Sequence, residues 1–326
     1  ASQPLKIENR SEASLPQTGV RFKTSNLKLQ RLYDAAEQKE QANVVDNFGK
    51  YTVLREGGGY NNVWLETQPM GGYMYAKRNM GAAKNNIQIF IDYQREDGRY
   101  PGMLHFTNGK TSAYYDQLPG TRLYEKDQIT AHYGWFQGYC FPMPAFEMYF
   151  WLGKDRKYLE QLYTSLEKFD EYLWKTRDAD RNGCLETWCI CDTGEDAGSR
   201  FNGAPWAWPY DYAPSSEAIR KLSEDEQKQI GITKDNLDKI DEFPTPMESM
   251  DIMSYSYTGR DVLAKISKEL GNGKEKYWRG KANEVRTKLK SYLWDSNKHA
   301  CYDRDKNNRV MDILTHNNLR CMYFGS

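Results

Sequence analysis

The stretch DRKYLEQLYTSLEKFDEYLWKTRDADRNG, residues 155–183, indicates the fold class. Its apolar side chains recur at alternating spacings of three and four, which places them on one face of a helix: Leu159, Leu162, Leu166, Phe169 and Leu173. Asp155 is a residue type that caps helix N termini, and the Asp- and Asn-rich end at 178–183 is typical of a turn. The stretch therefore predicts a long amphipathic helix with one face packed against neighbouring elements.

Helical periodicity recurs along most of the chain, and strand-like alternation is almost absent. The further helices are expected after Thr24 and over about 72–94, 139–152, 247–270 and 274–294, with another beginning near 316. These make six or seven long helices, joined by tight turns on one side and by long, aromatic-rich loops on the other. This asymmetry predicts helical hairpins stacked in a ring or arc, with function on the long-loop face.

Length and composition suggest one large domain. The chain has 326 residues, 39% of them hydrophobic and 28% charged, and a formal net charge of zero. A neutral globular chain gives no reason to expect a nucleic-acid partner, and no apolar run reaches the ~20 residues that span a bilayer. We expect an extended arm at 1–22 and a helical domain at 23–326, interrupted by an insertion at about 201–244. The six cysteines fit no zinc pattern and are expected to be buried thiols.

The most charged loop of the chain lies at residues 191–200, and we call it the acidic loop. It contains three carboxyl groups, Asp192, Glu195 and Asp196, and ends at Arg200. A catalytic acid needs one carboxyl whose pKa is raised by burial or by a like charge. The alternative is a solvated acidic loop paired to Arg200, and the loop alone does not decide between the two.

Hydrolysis of a glycosidic bond needs a second carboxyl group. Inverting enzymes hold the two groups about 6.5–9.5 Å apart and retaining enzymes about 5–5.5 Å apart. Neighbours in one loop seldom reach opposite faces of a sugar, so the partner is expected from a distant segment. The candidates are Glu66, Glu186, Glu248 and Asp251.

A turn rich in acidic side chains could hold calcium. Asp178, Asp180 and Asn182 match the opening of an EF-hand loop, but Cys189 stands where the loop needs a bidentate Glu. The favoured interpretation is a helix-ending turn in which Asp and Asn bond their own backbone. A looser calcium site at these three residues stays open, and no other metal or cofactor is expected.

An ordered set of motifs runs through the chain: QREDGRYPG at 94–102, LGKD at 152–155, DADRNGCLE at 178–186, DTGEDAGSR at 192–200, ESMD at 248–251 and YLWD at 292–295. From about residue 60 to 326, this order resembles the (α/α)6-barrel glycosidases of the trehalase and glycoside hydrolase family 63 group, including mannosylglycerate-hydrolase-like enzymes. The resemblance implies an all-α (α/α)6 toroid built from helical hairpins.

The resemblance also implies roles for individual residues. The second acid of the family's loop motif is the general acid of an inverting mechanism, and by position this is Asp196. Gln137 matches a glutamine that faces the non-reducing-end sugar, Arg200 matches the arginine that closes the motif, and Trp188 stands where aromatic side chains wall the pocket. Further substrate contacts are expected from Trp64, Glu66, Trp135, Glu186 and Glu195.

Two positions depart from the family pattern. Glu195 stands where the loop motif often has Trp, which changes the polarity beside the acid. The Trp-Asp pair usual on the early helix is replaced around residues 73–78, where Lys77 and Arg78 introduce positive charge. Arg78 is therefore expected either to meet an anionic or heavily hydroxylated substrate or to carry surface charge only.

The function that the resemblance implies is an inverting, exo-acting glycoside hydrolase for α-linked glucosides, mannosides or related oligosaccharides. The alternative is a non-catalytic, carbohydrate-binding helical toroid. The family's general base is a Glu on a later helix, so we expect the base and the rest of the barrel beyond Ser326, with Glu66 or Glu248 as the competing choice. A periplasmic or secreted location is expected, with the cytoplasm as the alternative.

Overall fold

The computed structural model describes residues 20–57, 60, 62–106, 124–126, 128–134, 136, 141–195 and 198–326. Eleven α-helices lie in this part of the chain: α1 (Leu27–Gln41), α2 (Gln68–Met74), α3 (Met80–Asp92), α4 (Pro142–Trp151), α5 (Arg156–Thr176), α6 (Ser216–Arg220), α7 (Glu224–Gln229), α8 (Lys234–Leu237), α9 (Met250–Leu270), α10 (Glu275–Lys288) and α11 (Arg320–Phe324). Six of them have ten or more residues, as the periodicity predicts. Among the described helices, none has the length and apolar content to span a membrane.

Ten short strands lie between the helices: β1 (Val44–Phe48), β2 (Tyr51–Leu54), β3 (Asn62–Trp64), β4 (Met103–Phe106), β5 (Tyr124–Lys126), β6 (Ile129–His132), β7 (Glu186–Thr187), β8 (Met247–Glu248), β9 (Trp294–Asp295) and β10 (Ala300–Cys301). They form one four-stranded antiparallel sheet in the order β3-β4-β6-β5 and three two-stranded pairs. The sequence shows almost no strand-like alternation although these strands are present. Strands of two to five residues are too short to show alternation, and all four residues of β6 are buried.

The helix over 155–183 forms as the sequence predicts. The Asp155 carboxylate accepts hydrogen bonds from the backbone N–H groups of Lys157, at 2.9 Å, and Tyr158, at 3.2 Å, and so caps α5. The apolar stripe is buried along the whole helix. Helix α5 packs against α4 and α9, and α9 also contacts α10 and α11. The two 21-residue helices, α5 and α9, thus form the centre of the described helical layer.

Three helix boundaries differ from the prediction. The single helix expected over 72–94 is two, because Asn79 has an extended backbone and its side chain caps α3 by accepting from the Ala82 N–H at 2.9 Å. The helix expected to reach Trp294 ends as an α-helix at Lys288 and continues as one wide π-turn over Leu289–Leu293. The last helix begins with a 3₁₀ turn.

The QREDGRYPG turn joins three parts of the fold. Gly98 has a φ of +99°, and a Cβ built there would lie 2.1 Å from the Lys168 carbonyl oxygen, so only glycine fits against α5. The Gln94 side chain donates to the Ser165 carbonyl on the same helix at 2.9 Å. Arg99 pairs with Asp211 of the insertion at 2.8 Å. The turn therefore connects α3 to both α5 and the insertion.

The insertion at 201–244 carries α6, α7 and α8 and shares a small hydrophobic core with Trp188 and Cys189, which directly precede the acidic loop. Two fully buried tryptophans, Trp188 and Trp208, form this core together with side chains of the insertion: Ile219, Ile230, Ile232, Ile240 and Phe243. The insertion is therefore packed together with the segment that leads into the acidic loop.

Candidate active site

The acidic loop runs between β7 and the insertion and is fixed by backbone hydrogen bonds. The Ile190 N–H donates to the Pro205 carbonyl at 2.9 Å, and the Cys191 N–H donates to the Trp206 carbonyl at 3.1 Å. Trp64, at the end of β3, packs with Cys191 and with neighbours in the insertion. The structure thus brings the predicted residue Trp64 to the loop, and Glu66 follows it two positions later as a half-buried side chain.

Asp192 anchors the first half of the acidic loop. Its carboxylate is fully buried, pairs with the Arg177 guanidinium and accepts from the Trp188 N–H at 2.7 Å. Burial acts to raise the pKa of Asp192, but the charge and hydrogen bonds of Arg177 hold it below the usual value. Asp192 is therefore an ionised structural anchor, which removes one of the three loop carboxyls from the candidates for the catalytic acid.

Arg200 anchors the second half of the loop. Its buried guanidinium pairs with Glu195, at 2.7 Å between Nε and Oε2, and with Asp251 and Asp303. Burial opposes the charge of Arg200, yet the three carboxylates raise its pKa above the ordinary value. Asn317 donates to the same Glu195 oxygen at 2.7 Å. Glu195 is thus held by two donors, which removes a second loop carboxyl from the candidates.

Asp251 does not provide the second carboxyl of a catalytic pair. It is fully buried beneath Arg200, and its other oxygen lies 3.2 Å from Nη1 of Arg320. Asp303, which the sequence did not single out, completes this ion-paired cluster and accepts from the Met250 N–H at 2.8 Å. No local motif marks Asp303, because its partners lie about 50 and 100 positions away.

Three predicted site residues, Trp135, Gln137 and Asp196, lie outside the described residues. Their neighbours are described. The Gly134 carbonyl accepts from the Trp208 N–H at 3.2 Å, which joins the segment before Trp135 to the insertion. The Gly198 N–H donates to the Glu195 carbonyl at 3.4 Å, and these are the described residues on either side of positions 196 and 197.

Trp188 lies inside the protein and does not form a pocket wall. Its exposure is 0%, its ring stacks on the Arg177 guanidinium at 3.9 Å, and its Nε1 donates to Glu186 at 2.7 Å. The expected sugar contact is therefore wrong for this structure, because the ring has no exposed face. Trp188 supports the loop by holding Arg177, which in turn holds Asp192.

Arg78 is bound to the first helix. Its Nε lies 2.9 Å from both carboxylate oxygens of Glu37 in α1, and its guanidinium lies 5.8 Å from the centroid of the Tyr75 ring. The hydrogen bonds that Arg78 donates to Glu37 raise the pKa of Arg78, although burial opposes this. The neighbouring Lys77 is exposed. These contacts favour the interpretation without a substrate: Arg78 forms an ion pair with Glu37, and Lys77 carries surface charge.

Glu186 and Glu248 are directly opposite each other across β7 and β8. Both side chains are buried, and burial raises both pKa values, that of Glu186 to about 7. The charge of Glu248 adds to this rise, while the hydrogen bond from Trp188 opposes it. The pair can therefore hold a proton near neutral pH, and it is joined to the acidic loop through Trp188.

Glu186→Gln is expected to flatten the pH dependence of stability. Because the pKa of Glu186 rises from 4.5 to about 7 on folding, the folded protein binds more protons than the unfolded chain between these values. The free energy of unfolding therefore falls as pH rises through this window, on the order of 3 kcal/mol from this group. Glutamine still accepts the Trp188 hydrogen bond but does not ionise. Urea unfolding at about pH 5 and about pH 8 gives the free energy of unfolding of both proteins. The value of the variant relative to that of the native protein should be higher at about pH 8 than at about pH 5.

The matched control is Glu224→Gln on the exposed start of α7. It makes the same chemical change on an exposed side chain of another element and should keep the native pH slope. A native slope in Glu186→Gln as well would contradict the assigned pKa.

The residues of the candidate calcium turn bond to one another. Asp180 accepts from the Asn182 backbone N–H at 3.1 Å and from its side chain at 2.8 Å, and Asp178 accepts from the Gly183 N–H at 3.2 Å. The Asn182 side chain also donates to Glu248. In the described part of the chain, no group of three or more His, Cys, Asp or Glu side chains is placed to hold a metal ion. These contacts are the ones expected of a helix-ending turn, and the calcium site stays a prediction.

Comparison with known proteins gives a family and a fold. Residues 73–326 match the model of the mannosylglycerate hydrolase-like glycoside hydrolase domain. The chain is similar to the structure of the family 63 mannosylglycerate hydrolase from Thermus thermophilus in complex with glucose, with a TM-score of 0.63, 16% identity, and coverage of 90% of this chain and 71% of that one. The same enzyme with Tris and D-glycerate gives a TM-score of 0.63 and 16% identity over 90% and 73%.

Neutral trehalase from Saccharomyces cerevisiae is similar at a TM-score of 0.51 and 14% identity, over 84% of this chain and 52% of that one. No curated protein matches the chain. The (α/α)6 fold class expected from the motifs is confirmed.

Proposed function

Because this chain belongs to the mannosylglycerate hydrolase-like glycoside hydrolase domain family, we propose that it removes terminal α-linked glucose or mannose units with inversion at the anomeric carbon. Membership makes it a glycosidase with a carbohydrate substrate. The alternative of a non-catalytic carbohydrate-binding toroid is set aside, since the family is one of glycoside hydrolases. The stereochemistry, the exo mode and the type of sugar are the proposal.

The observation that supports the proposal is that two of the three carboxyl groups in the acidic loop are held in ion pairs. Asp192 is committed to Arg177, and Glu195 is committed to Arg200 and Asn317. A carboxylate held by a guanidinium is stabilised in its ionised form and is a poor proton donor. Asp196 is the loop carboxyl that remains, and it lies between two anchored halves of the loop.

In the proposed reaction, Asp196 protonates the glycosidic oxygen as the bond to the anomeric carbon breaks. A water molecule attacks the opposite face of the sugar, which gives the inverted anomer. Asp192 and Asp251 do not activate this water, because both are buried in ion pairs. Arg177 and Arg200 act indirectly, since Arg177 holds Asp192 and Arg200 holds Glu195 in the described part of the loop.

The sugar pocket is proposed to lie between the β3 end, the segment around Trp135 and Gln137, and the acidic loop. Trp64 packs on Cys191, and Gly134 is hydrogen-bonded to Trp208 in the insertion. Aromatic rings stack well on the apolar faces of sugars, which supports Trp135 as a wall and Gln137 as a hydrogen-bonding partner of sugar hydroxyls.

Anomer-resolved proton NMR tests the proposal on the intact protein. The anomer is read on α-mannosyl and α-glucosyl glycerate, whose leaving group has no anomeric carbon, from the first minutes before the released sugar mutarotates. Trehalose and simple α-linked disaccharides show which type of sugar is accepted. We expect the β anomer of glucose or mannose to appear first, from the non-reducing end. The α anomer first would indicate retention and would overturn the inverting mechanism. Cleavage of interior bonds in a longer α-linked oligosaccharide, before any monosaccharide is released, would overturn the exo mode.

A further inference from the structure

A surface cleft lies between the helices α5 and α10. Its volume is about 600 Å³, which is within the range of roughly 300–1,000 Å³ that small-molecule sites have. Side chains of the two helices line it, together with the residue that precedes α10: Glu167, Asp170, Glu171, Lys274, Tyr277 and Trp278. The ion pairs that anchor the acidic loop involve other residues, around Arg177 and Arg200.

One wall of the cleft is fixed by a chain of hydrogen bonds. Trp278 is buried, with an exposure of 4%, and its Nε1 donates to the Tyr163 hydroxyl at 2.9 Å. Tyr163 donates in turn to Glu167 at 3.1 Å, and Lys274 donates to the same Glu167 oxygen at 3.0 Å. The polar atoms of this wall are therefore held in place before a ligand binds, which lowers the entropy that binding costs.

The charges of the cleft are almost balanced, although three of its lining residues are acidic. Glu167 pairs with Lys274 at 3.0 Å. Asp170 pairs with Arg260 through both carboxylate oxygens, at 2.8 and 3.1 Å. Glu171 is exposed and makes no ion pair within the described part of the chain. Because only one carboxylate is left over, the cleft suits a neutral polar ligand better than a strongly charged one.

Tyr277 adds an exposed aromatic ring to the cleft. Its side chain is 55% exposed, and its ring lies nearly perpendicular to that of Trp278, with the centroids 5.0 Å apart. Among the described residues, no group forms a hydrogen bond with the Tyr277 hydroxyl. An aromatic ring offers a flat apolar face together with a polar tip. This combination matches a sugar, which has an apolar C–H face and a rim of hydroxyl groups.

We propose that the cleft between α5 and α10 is a second carbohydrate site, which binds a neutral sugar. The sugar ring stacks on Tyr277, and its hydroxyl groups donate to Glu171 and accept from Lys274. The Lys274 ammonium has three N–H groups and uses one of them on Glu167. One ring and a few hydrogen bonds make a weak site, with a dissociation constant in the millimolar range. The proposal does not depend on the catalytic acid or on inversion, because the cleft is built by other residues.

Fluorine NMR of the intact protein, labelled with 5-fluorotryptophan, tests the proposal because Trp278 lines the cleft. The resonance of Trp278 is assigned by its loss in Trp278→Phe. Glucose and mannose are the sugar probes, since a glycosidase does not consume them, and spermidine is the cationic probe. We expect the sugars to shift the Trp278 resonance with a saturable, millimolar dependence on concentration. Spermidine at the same concentrations should leave the resonance in place.

Three variants locate the binding, and all three positions are exposed, so the fold should tolerate the changes. Tyr277→Ala removes the stacking surface and should weaken sugar binding roughly fivefold or more. Glu171→Gln removes the charge but keeps an oxygen that accepts hydrogen bonds, so the sugar affinity should change less than about threefold. The matched control is Tyr212→Ala in the insertion, where the tyrosine is 51% exposed. It should leave the titration of Trp278 unchanged.

Three results would overturn the proposal. One is a Trp278 resonance that neither sugar shifts at roughly 200 mM, far above the expected dissociation constant. Another is a shift caused by spermidine and removed in Glu171→Gln, because this would identify a cation site. The third is a sugar-induced shift that stays the same in Tyr277→Ala, because the sugar would then bind elsewhere. None of these measurements involves hydrolysis, so a failure here is distinguishable from a failure of the proposed glycosidase mechanism.

Discussion

Replacing Asp196 by Asn is expected to lower kcat roughly 10²–10⁴-fold on substrates with poor leaving groups, while activated aryl glycosides are largely spared. An asparagine does not donate a proton to the glycosidic oxygen, so a sugar or glycerate leaving group departs as a costly alkoxide. A nitrophenolate leaves without that proton. The measurement is kcat and kcat/KM for both substrate classes on the same preparation.

The control for this substitution is Asp225→Asn, which makes the same chemical change on the exposed face of α7. It should leave both substrate classes at native rates. An equal loss on both classes in Asp196→Asn would contradict the role of general acid, because that pattern indicates a damaged binding site or fold. Circular dichroism of the variant separates the last two.

The largest loss of stability is expected for Arg200→Met. The substitution keeps the length of the side chain but removes the charge that three carboxylates share: Glu195, Asp251 and Asp303. Breaking a buried ion pair by removing one partner costs about 3–5 kcal/mol, since the other charge stays buried without compensation. Urea unfolding of the native protein and the variant at neutral pH measures the difference.

Arg279→Met provides the comparison at the surface. Arg279 is 45% exposed and pairs with Asp261 at 2.6 Å, and an exposed pair of this kind contributes about 0–1 kcal/mol. The deficit of Arg200→Met should shrink in acid, where the orphaned carboxyls take up protons and lose their charge. A loss of stability no larger than that of Arg279→Met, or one independent of pH, would show that Arg200 does not stabilise the buried carboxylates around it.

The long helices and the acidic loop could be read from the sequence because their signals are local. The spacing of Leu159 through Leu173 identifies α5, and its cap at Asp155 is one residue before the helix. The sequence does not predict the break at Asn79, because apolar residues continue on both sides of it. The feature that marks the start of α3 is a hydrogen bond to the Asn79 side chain, which the apolar pattern does not show. Periodicity records which faces are buried and does not record where the backbone leaves the helix.

The partners of Arg200 could not be predicted, because they lie far from it in the sequence. Arg200 meets residues 251 and 303, which come from α9 and from the segment after β10. Such pairings depend on the tertiary arrangement, and one Asp among many has no pattern of its own. The prediction of a pocket wall at Trp188 is wrong for the same reason, since the sequence shows an aromatic residue near a loop but not the Arg177 guanidinium that covers it.

The small hydrophobic core around Trp188 and Trp208 makes the insertion inseparable from the loop. Trp188 precedes the acidic loop, while most of its apolar neighbours lie within 219–243. Trimming the insertion to obtain a minimal catalytic unit would uncover the indole that holds Arg177 and, through it, Asp192. A domain boundary drawn at residue 201 would therefore cut through one cooperative unit, and any transplant of the loop into another helical scaffold has to carry residues 201–244 with it.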